Sequence, residues 1–186
     1  MAVADVRLAR AADAAEIARI QHITWQTAFG ELLDEASLAA LTGQEAQQRW
    51  TEAIAYPDTD VFVATEGDYT VGFCVSGPAP REEIEGPDGT VPPDAAHTGL
   101  IATLLVEPRW GRRGHGGRLL AAAARALRSR GAHRAVAWVN ESDSATLNFY
   151  RTVGWEATRL VRTLDTGRRH VRQLCVTGGL DLQLVE

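Results

Sequence analysis

Lysine is absent from this chain: every one of the nineteen residues counted as Lys+Arg among its 186 is arginine. A phosphate loop of the Gly-Lys-Ser/Thr kind is therefore excluded, because its lysine does not exist. Cysteine is scarce, with only Cys74 and Cys175. Both stand in apolar, strand-like runs and read as small buried hydrophobes, so neither a disulfide framework nor a metal site is expected. No apolar run reaches the roughly 18 residues that would mark a membrane span. Met1-Ala2-Val3-Ala4-Asp5 lacks the basic start and apolar centre of a secretion signal. A cytoplasmic protein with reduced thiols is the expectation. Internal repeats and linkers are missing too, which points to one domain over residues 1–186.

The charge is unevenly placed. Residues 1–108 carry five arginines against eighteen acids, a balance of −13, and residues 109–172 carry fourteen arginines against four acids, a balance of +10. A basic segment inside an otherwise acidic chain suits a compact anionic ligand, whereas nucleic acid would be repelled by the remainder. The basic segment begins at Leu104-Leu105-Val106-Glu107-Pro108-Arg109-Trp110-Gly111-Arg112-Arg113-Gly114-His115-Gly116-Gly117-Arg118. An apolar strand meets a proline that cannot donate to a ladder, crosses a glycine-rich loop and enters an alanine-rich helix. Glycine lets a ligand approach the backbone, and the first turn of a helix has unpaired N–H groups at the positive end of its dipole. The order of elements describes a pyrophosphate cradle, to which Arg112, Arg113 and Arg118 add charge. The dinucleotide pattern Gly-x-Gly-x-x-Gly fails, because the last position counted from Gly114 is Leu119.

Around this loop the periodicities give an order of elements. A strand over Val3–Leu8 precedes a helix opened by the capping-box spacing Asp13…Glu16, then a short helical segment over Leu32–Leu41. A second box, Thr42…Glu45, opens another helix. A hairpin turns at Gly67-Asp68 between Asp60–Glu66 and Tyr69–Ser76. Residues 77–97 hold five of the seven prolines and are too polar to pack as a core element, leaving two readings: a lid or a disordered insertion. Thr98–Val106 is continuous enough to be a central strand buried on both faces. Strand His133–Asn140 follows the alanine-rich helix and lies parallel to Thr98–Val106 by the right-handed crossover rule. Helix Ser142–Val153 and a hairpin of Trp155–Leu164 with His170–Thr177 complete the chain.

The loop resembles the acetyl-CoA loop of the GNAT N-acetyltransferase superfamily, Gln/Arg-x-x-Gly-x-Gly/Ala after Val-x-Pro, carried here by Val106-Glu107-Pro108 and Gly114-His115-Gly116. Two departures are Gly111 in the Gln/Arg slot and Arg112 where Gly usually follows. Thirty or so residues on, Phe149-Tyr150, Gly154 and Trp155 match the family's Asn-x-x-Ala-x-x-Phe/Leu-Tyr-x-x-x-Gly-Phe, with Asp143 and Thr146 replacing its Asn and Ala. The resemblance implies an α/β (α+β) fold: a single mixed, mostly antiparallel sheet of about seven strands, flanked by helices, whose central parallel pair splays at the CoA site.

The resemblance also implies acetyl transfer from acetyl-CoA to an amine, without a metal. Leu104, Leu105 and Val106 would meet the pantetheine arm; the backbone of Arg112, Arg113, Gly114, His115, Gly116 and Gly117 would hold the pyrophosphate; Asp143 would contact the donor. Tyr150 would protonate the departing thiolate, and an N–H near Val106 would steady the oxyanion. Glu107, Glu141, His22 and His97 are open candidates for the base, as is a chain of water. His22 and Trp25, on the first helix, would face the acceptor; ordinary packing would place them in or beside the core. The acidic first half suggests a cationic amine, and the terminal hairpin a homodimer; neither membrane nor nucleic acid is an expected partner. A non-catalytic acyl-CoA sensor on the same fold is the alternative that the departures at Gly111, Arg112 and Asp143 leave open.

Overall fold

The computed structural model describes residues 3–31 and 33–182. Strands β1 (Ala4–Leu8), β2 (Asp60–Glu66), β3 (Tyr69–Pro78), β4 (Thr98–Val106), β5 (Arg134–Asn140), β6 (Glu156–Asp165) and β7 (His170–Gly179) form one seven-stranded sheet. Their order is β1-β2-β3-β4-β5-β7-β6, antiparallel throughout except for β4 and β5. The parallel pair is short. Thr98–Ile101 matches Arg134–Ala137, and beyond those four residues the strands part. Ala102 is the surplus residue of a bulge against β3, between the pairs Ser76–Ile101 and Val75–Thr103. A bulge bends its strand and increases its twist, and this one stands where β4 leaves β5.

Five helices flank the sheet: α1 (Ala14–Phe29), α2 (Glu35–Ala39), α3 (Gly43–Ala55), α4 (His115–Ser129) and α5 (Ser144–Thr152). Alternation along the strands divides the core. Phe62, Ala64, Ala135, Ala137 and Val139 face the buried stripe of α4, which includes Leu119, Leu120, Ala123 and Leu127. Val61 and Val63 point to the other side, where Ile17 and Ile20 of α1 cover them with Trp50 and Ile54 of α3. Residues 77–97 pack on the sheet and are not a disordered insertion. Ile84 is buried against Val136 and Cys175, and Asp94 and Glu83 pair with Arg134 and Arg162. One isoleucine and two ion pairs therefore fasten the segment to the β5–β7 half of the sheet, despite its polar composition.

Both helix starts expected from capping boxes form, but by other means. The Asp13 carboxylate turns back to the Arg10 N–H at 2.7 Å and to Arg7, and Thr42 donates to the Ala39 carbonyl. The short helix after α1 covers only Glu35–Ala39, capped by Asp34, which accepts from the Ser37 N–H at 2.6 Å; Leu32 lies outside the described residues. Residues of β4 after Ile101 are not buried on both faces as expected: Ala102 is exposed, and Thr103 to Val106 are half-buried. The separation of β5 uncovers them.

Candidate active site

The gap between β4 and β5 opens a cavity of about 410 Å³ through the sheet. Ile101 to Leu105 line one side and Ala137 to Asn140 the other. Asp143, Thr146 and Tyr150 of α5 and its cap close it on one face; Gln21, Trp25 and Phe29 of α1 close it on the opposite face. Arg162, Leu164, Thr166, Val171 and Gln173 from the last hairpin complete the wall. An isolated bridge between Leu33 and Gly167 joins the α1–α2 connection to the hairpin turn beside it.

Backbone direction in β4 follows from one hydrogen bond. The Glu107 N–H donates to Val71 at 2.8 Å, and Gly72 stands opposite Val106. Antiparallel pairs alternate, so the N–H and C=O of Val106, and of Leu104 two residues earlier, point away from β3 into the gap. Leu104 and Leu105 line the cavity, and Leu104 and Val106 both pack against the core under α4.

At the edge of this gap the chain enters α4 through an open turn. Arg112 has φ 62° and Gly114 φ 77°, left-handed values that cost a glycine little and an arginine more. Among the described residues, backbone hydrogen bonding stops at Gly111 N–H to Pro108 and resumes at Arg118 N–H to Gly114, both 3.1 Å. The six N–H groups from Arg112 to Gly117 have no internal acceptor, and no side chain caps the helix. A Cβ on Gly116 would touch the Phe149 ring at 3.5 Å and Leu104 at 3.8 Å, so this turn lies directly against α5 and the cavity strand.

The side chains of the turn brace it. His115 is buried and its Nε2 is 2.8 Å from Glu66 Oε2, across to β2. Arg113 reaches the other Glu66 oxygen at 2.9 Å and covers the ring of Trp110, while Arg118 donates to the Arg113 carbonyl at 3.0 Å. The hydrogen bond from His115, with Arg113 beside it, holds the Glu66 carboxyl below the usual carboxylate range. The forks of Arg113 and Arg118 therefore serve the loop itself. Glu66 and the bracing role of His115 escaped the sequence reading, since a hairpin glutamate and a loop histidine give no signal of meeting across 49 residues.

Tyr150 is buried, stacked on Trp155 at 5.0 Å and edge-on to Phe149 at 5.3 Å, with no hydrogen bond to its hydroxyl among the described residues. Burial raises its pKa beyond the ordinary tyrosine value, so the phenol keeps its proton at neutral pH. Trp155 lies so close over Gly178 of β7 that any Cβ there would strike the indole ring, and its Nε1–H donates to Gly179 at 3.2 Å. Gly178 thus seats the ring that seats Tyr150, a dependence that pattern alone could not reveal.

Asp143 lines the cavity with its carboxylate spent on the Thr146 N–H at 3.0 Å and the Thr146 hydroxyl at 2.7 Å, capping α5. The replacements Asp143 and Thr146 satisfy one another. None of the named base candidates lines the cavity. Glu107 is buried between Arg19 and Arg109, Glu141 pairs with Arg172, and His97 stacks on His133. His22 lies on α1 beside Gln21, but unlike Gln21 and Trp25 it does not reach the wall. The acids of the first half and of residues 77–97 that suggested a cationic acceptor also lie outside it, and Asp143 is the one acid among the described residues that line it.

A mixed sheet split at its one parallel pair, with an open helix end beside a cavity that runs through the split, is the framework of an acyl-transferring enzyme. Comparison with known proteins gives the family. The model of the acetyltransferase (GNAT) family matches residues 17–155. The uncharacterized N-acetyltransferase YuaI of Bacillus subtilis (strain 168) is 32% identical over 147 residues, 78% of this chain and 76% of that protein. The fold matches PaiA N-acetyltransferase from Thermoplasma acidophilum, solved with coenzyme A: TM-score 0.72, 13% identity, 95% of this chain and 99% of that one. It also matches yncA, a putative acetyltransferase from Salmonella typhimurium solved with acetyl-CoA, at TM-score 0.71 and 18% identity over 99% and 98% of the two chains. The chain belongs to the acetyltransferase (GNAT) family, and it is an acetyl-CoA-dependent acyltransferase.

Proposed function

We propose that this protein moves an acetyl group from acetyl-CoA directly to a primary amine of a small molecule or peptide, with the donor lying in the gap between β4 and β5. The observation that carries the reading is the run of six unpaired N–H groups, Arg112 to Gly117, next to a cavity that reaches Tyr150. Backbone amides at a helix entrance are good partners for diphosphate oxygens, and glycine at 114, 116 and 117 keeps the approach clear. The outward-turned N–H and C=O of Leu104 and Val106 suit the amides of a pantetheine arm, which would continue the sheet where β5 has left it.

Acetyl-CoA supplies an activated acyl group; the residues supply position and a proton. The acceptor enters from the α1 side, between Trp25, Phe29 and the last hairpin, and meets the thioester in the split. An N–H of β4 turned into the gap supports the oxyanion as the amine adds. Tyr150 holds a proton in a desolvated place and delivers it to the sulfur as the C–S bond breaks, and the second proton shed by the acylated nitrogen restores the phenol. With no carboxylate or imidazole free on the cavity wall among the described residues, the ammonium proton of the acceptor leaves through water along its polar side, past Gln21, Asn140 and Gln173. Isothermal titration with acetyl-CoA, CoA and ATP tests the cradle. Micromolar binding of both CoA species with little ATP binding is expected; silence toward both, or preference for ATP, overturns the reading. Thiol release over an amine panel separates an enzyme from a sensor.

A further inference from the structure

On the acceptor side of the cavity, three residues form a hydrogen-bonded chain that fixes each other's orientation. Arg162 Nε, which can only donate, gives its hydrogen to Gln173 Oε1 at 2.7 Å. The Gln173 amide nitrogen must then face Asn140 Oδ1, which it does at 2.8 Å. That leaves the Asn140 amide nitrogen as a donor with nothing to receive it among the described residues. The second guanidinium nitrogen of Arg162 donates to Glu83 at 2.8 Å, and Nη2 has no acceptor among the described residues. The same guanidinium lies 4.4 Å over the Trp138 ring, whose buried Nε1–H also lacks a partner. All of these residues except Glu83 line the cavity. Its remaining charged residue, Asp143, has both oxygens occupied by Thr146.

This wall therefore offers donors and one positive charge, and no unspent carboxylate. The same cavity has an apolar part, formed by Trp25, Phe29 and Leu33 with Leu164, two residues along β6 from Arg162. We propose that the acceptor carries a carboxylate, taken by Arg162 with help from Asn140, together with an apolar body that lies against Trp25 and Phe29. Arg162 is then the residue that selects among amines. An arginine fork receives a carboxylate through paired, charge-assisted N–H donors, a match that an amide cannot make. Glu83 holds the guanidinium in place and partly offsets its charge, so the residues at 77–97 tune specificity from outside the cavity. The inference rests on the acetyltransferase reading above and narrows its substrate class.

Two matched pairs of amines test it: L-phenylalanine with L-phenylalaninamide, and 4-(aminomethyl)benzoate with 4-(aminomethyl)benzamide. Thiol release from acetyl-CoA gives kcat and KM, and quenching of tryptophan fluorescence in the CoA-loaded protein gives binding. In at least one pair the acid is expected to exceed its amide by about tenfold or more in kcat/KM. Arg162→Gln should bring that ratio to within about twofold, by raising KM for the acid. Arg162→Lys keeps the charge without the fork and should fall between, and Glu83→Gln, which leaves the cavity intact, should increase the preference for the acid. Equal or better use of both amides, failure of all four amines to bind, or a ratio unmoved in Arg162→Gln and Glu83→Gln alike overturns the proposal. Titration of acetyl-CoA in the same samples distinguishes the failures: intact donor binding without carboxylate preference removes this inference alone, and absent donor binding removes the acetyltransferase reading.

Discussion

Two helices begin beside the split sheet, and they begin in opposite ways. At α5 the carboxylate of Asp143 accepts from Thr146, so the entrance is satisfied from within. At α4 the cap is Gly114, with no side chain, and the amides before and after it are left open. The dipoles of the two helices are alike, so the difference lies in the cap. A capped entrance spends its amides within the chain; an uncapped one leaves them open, as the proposed diphosphate site requires. The start of α1 is a third case, where Asp13 serves Arg7 and Arg10 and ties the helix to β1.

The largest way to separate the two entrances is Tyr150→Phe. If α5 serves chemistry and not grip, kcat falls about a hundredfold or more, equivalent to about 3 kcal/mol, and acetyl-CoA affinity stays within twofold by calorimetry. Because burial raises the phenol's pKa, the wild-type rate should not decline as pH rises through the ordinary tyrosine value near 10. Next comes Gly114→Asp, which gives α4 a carboxylate of its own in a left-handed position that aspartate tolerates better than most residues. Acetyl-CoA affinity should drop about thirtyfold, about 2 kcal/mol, with less effect on saturated turnover; an unchanged Kd would place the anion elsewhere. Asp143→Ala removes the cap of α5 and should cost about 1 kcal/mol in urea unfolding while moving Kd less than twofold.

The smallest effect concerns α1. The hydrogen bond from Arg7 holds the Asp13 pKa below its ordinary value despite opposing desolvation. The stability from this pair is therefore present at neutral pH and lost as pH falls below about 4, through the depressed value. The pair is partly exposed, so the loss should be under about 1 kcal/mol, and it should vanish in Arg7→Gln when unfolding is followed against pH.

The order of elements was legible because periodicity and turn residues act locally: the hairpin at Gly67-Asp68, the parallel crossover through α4 and the strand after Gly131 stand where apolar spacing and glycines put them. The two motif halves, Gly114–Gly117 and Phe149–Trp155, also meet as expected, since a glycine turn and an aromatic helix each have one use here. The helix caps were less legible. Asp13 and Glu16 have the spacing of a box, yet an arginine from β1 takes the carboxylate first. Residues 77–97 looked too polar to pack, and a single isoleucine with two arginines from distant strands reverses that.

Composition and spacing alone determined a lysine-free chain in which a strand passes through a glycine-rich turn into an alanine-rich helix, and the acyltransferase class followed from the resemblance of its two motifs to the GNAT family. Only the tertiary structure decided that Glu66 and His115 brace that entrance, that Gly178 seats Trp155 under Tyr150, and that Arg162, Gln173 and Asn140 turn their donors into one cavity wall. The division has a physical reason. Caps, turns and glycine loops are governed by neighbours within a few residues, whereas these partners lie tens of residues apart and meet only once strand register and helix packing have placed them.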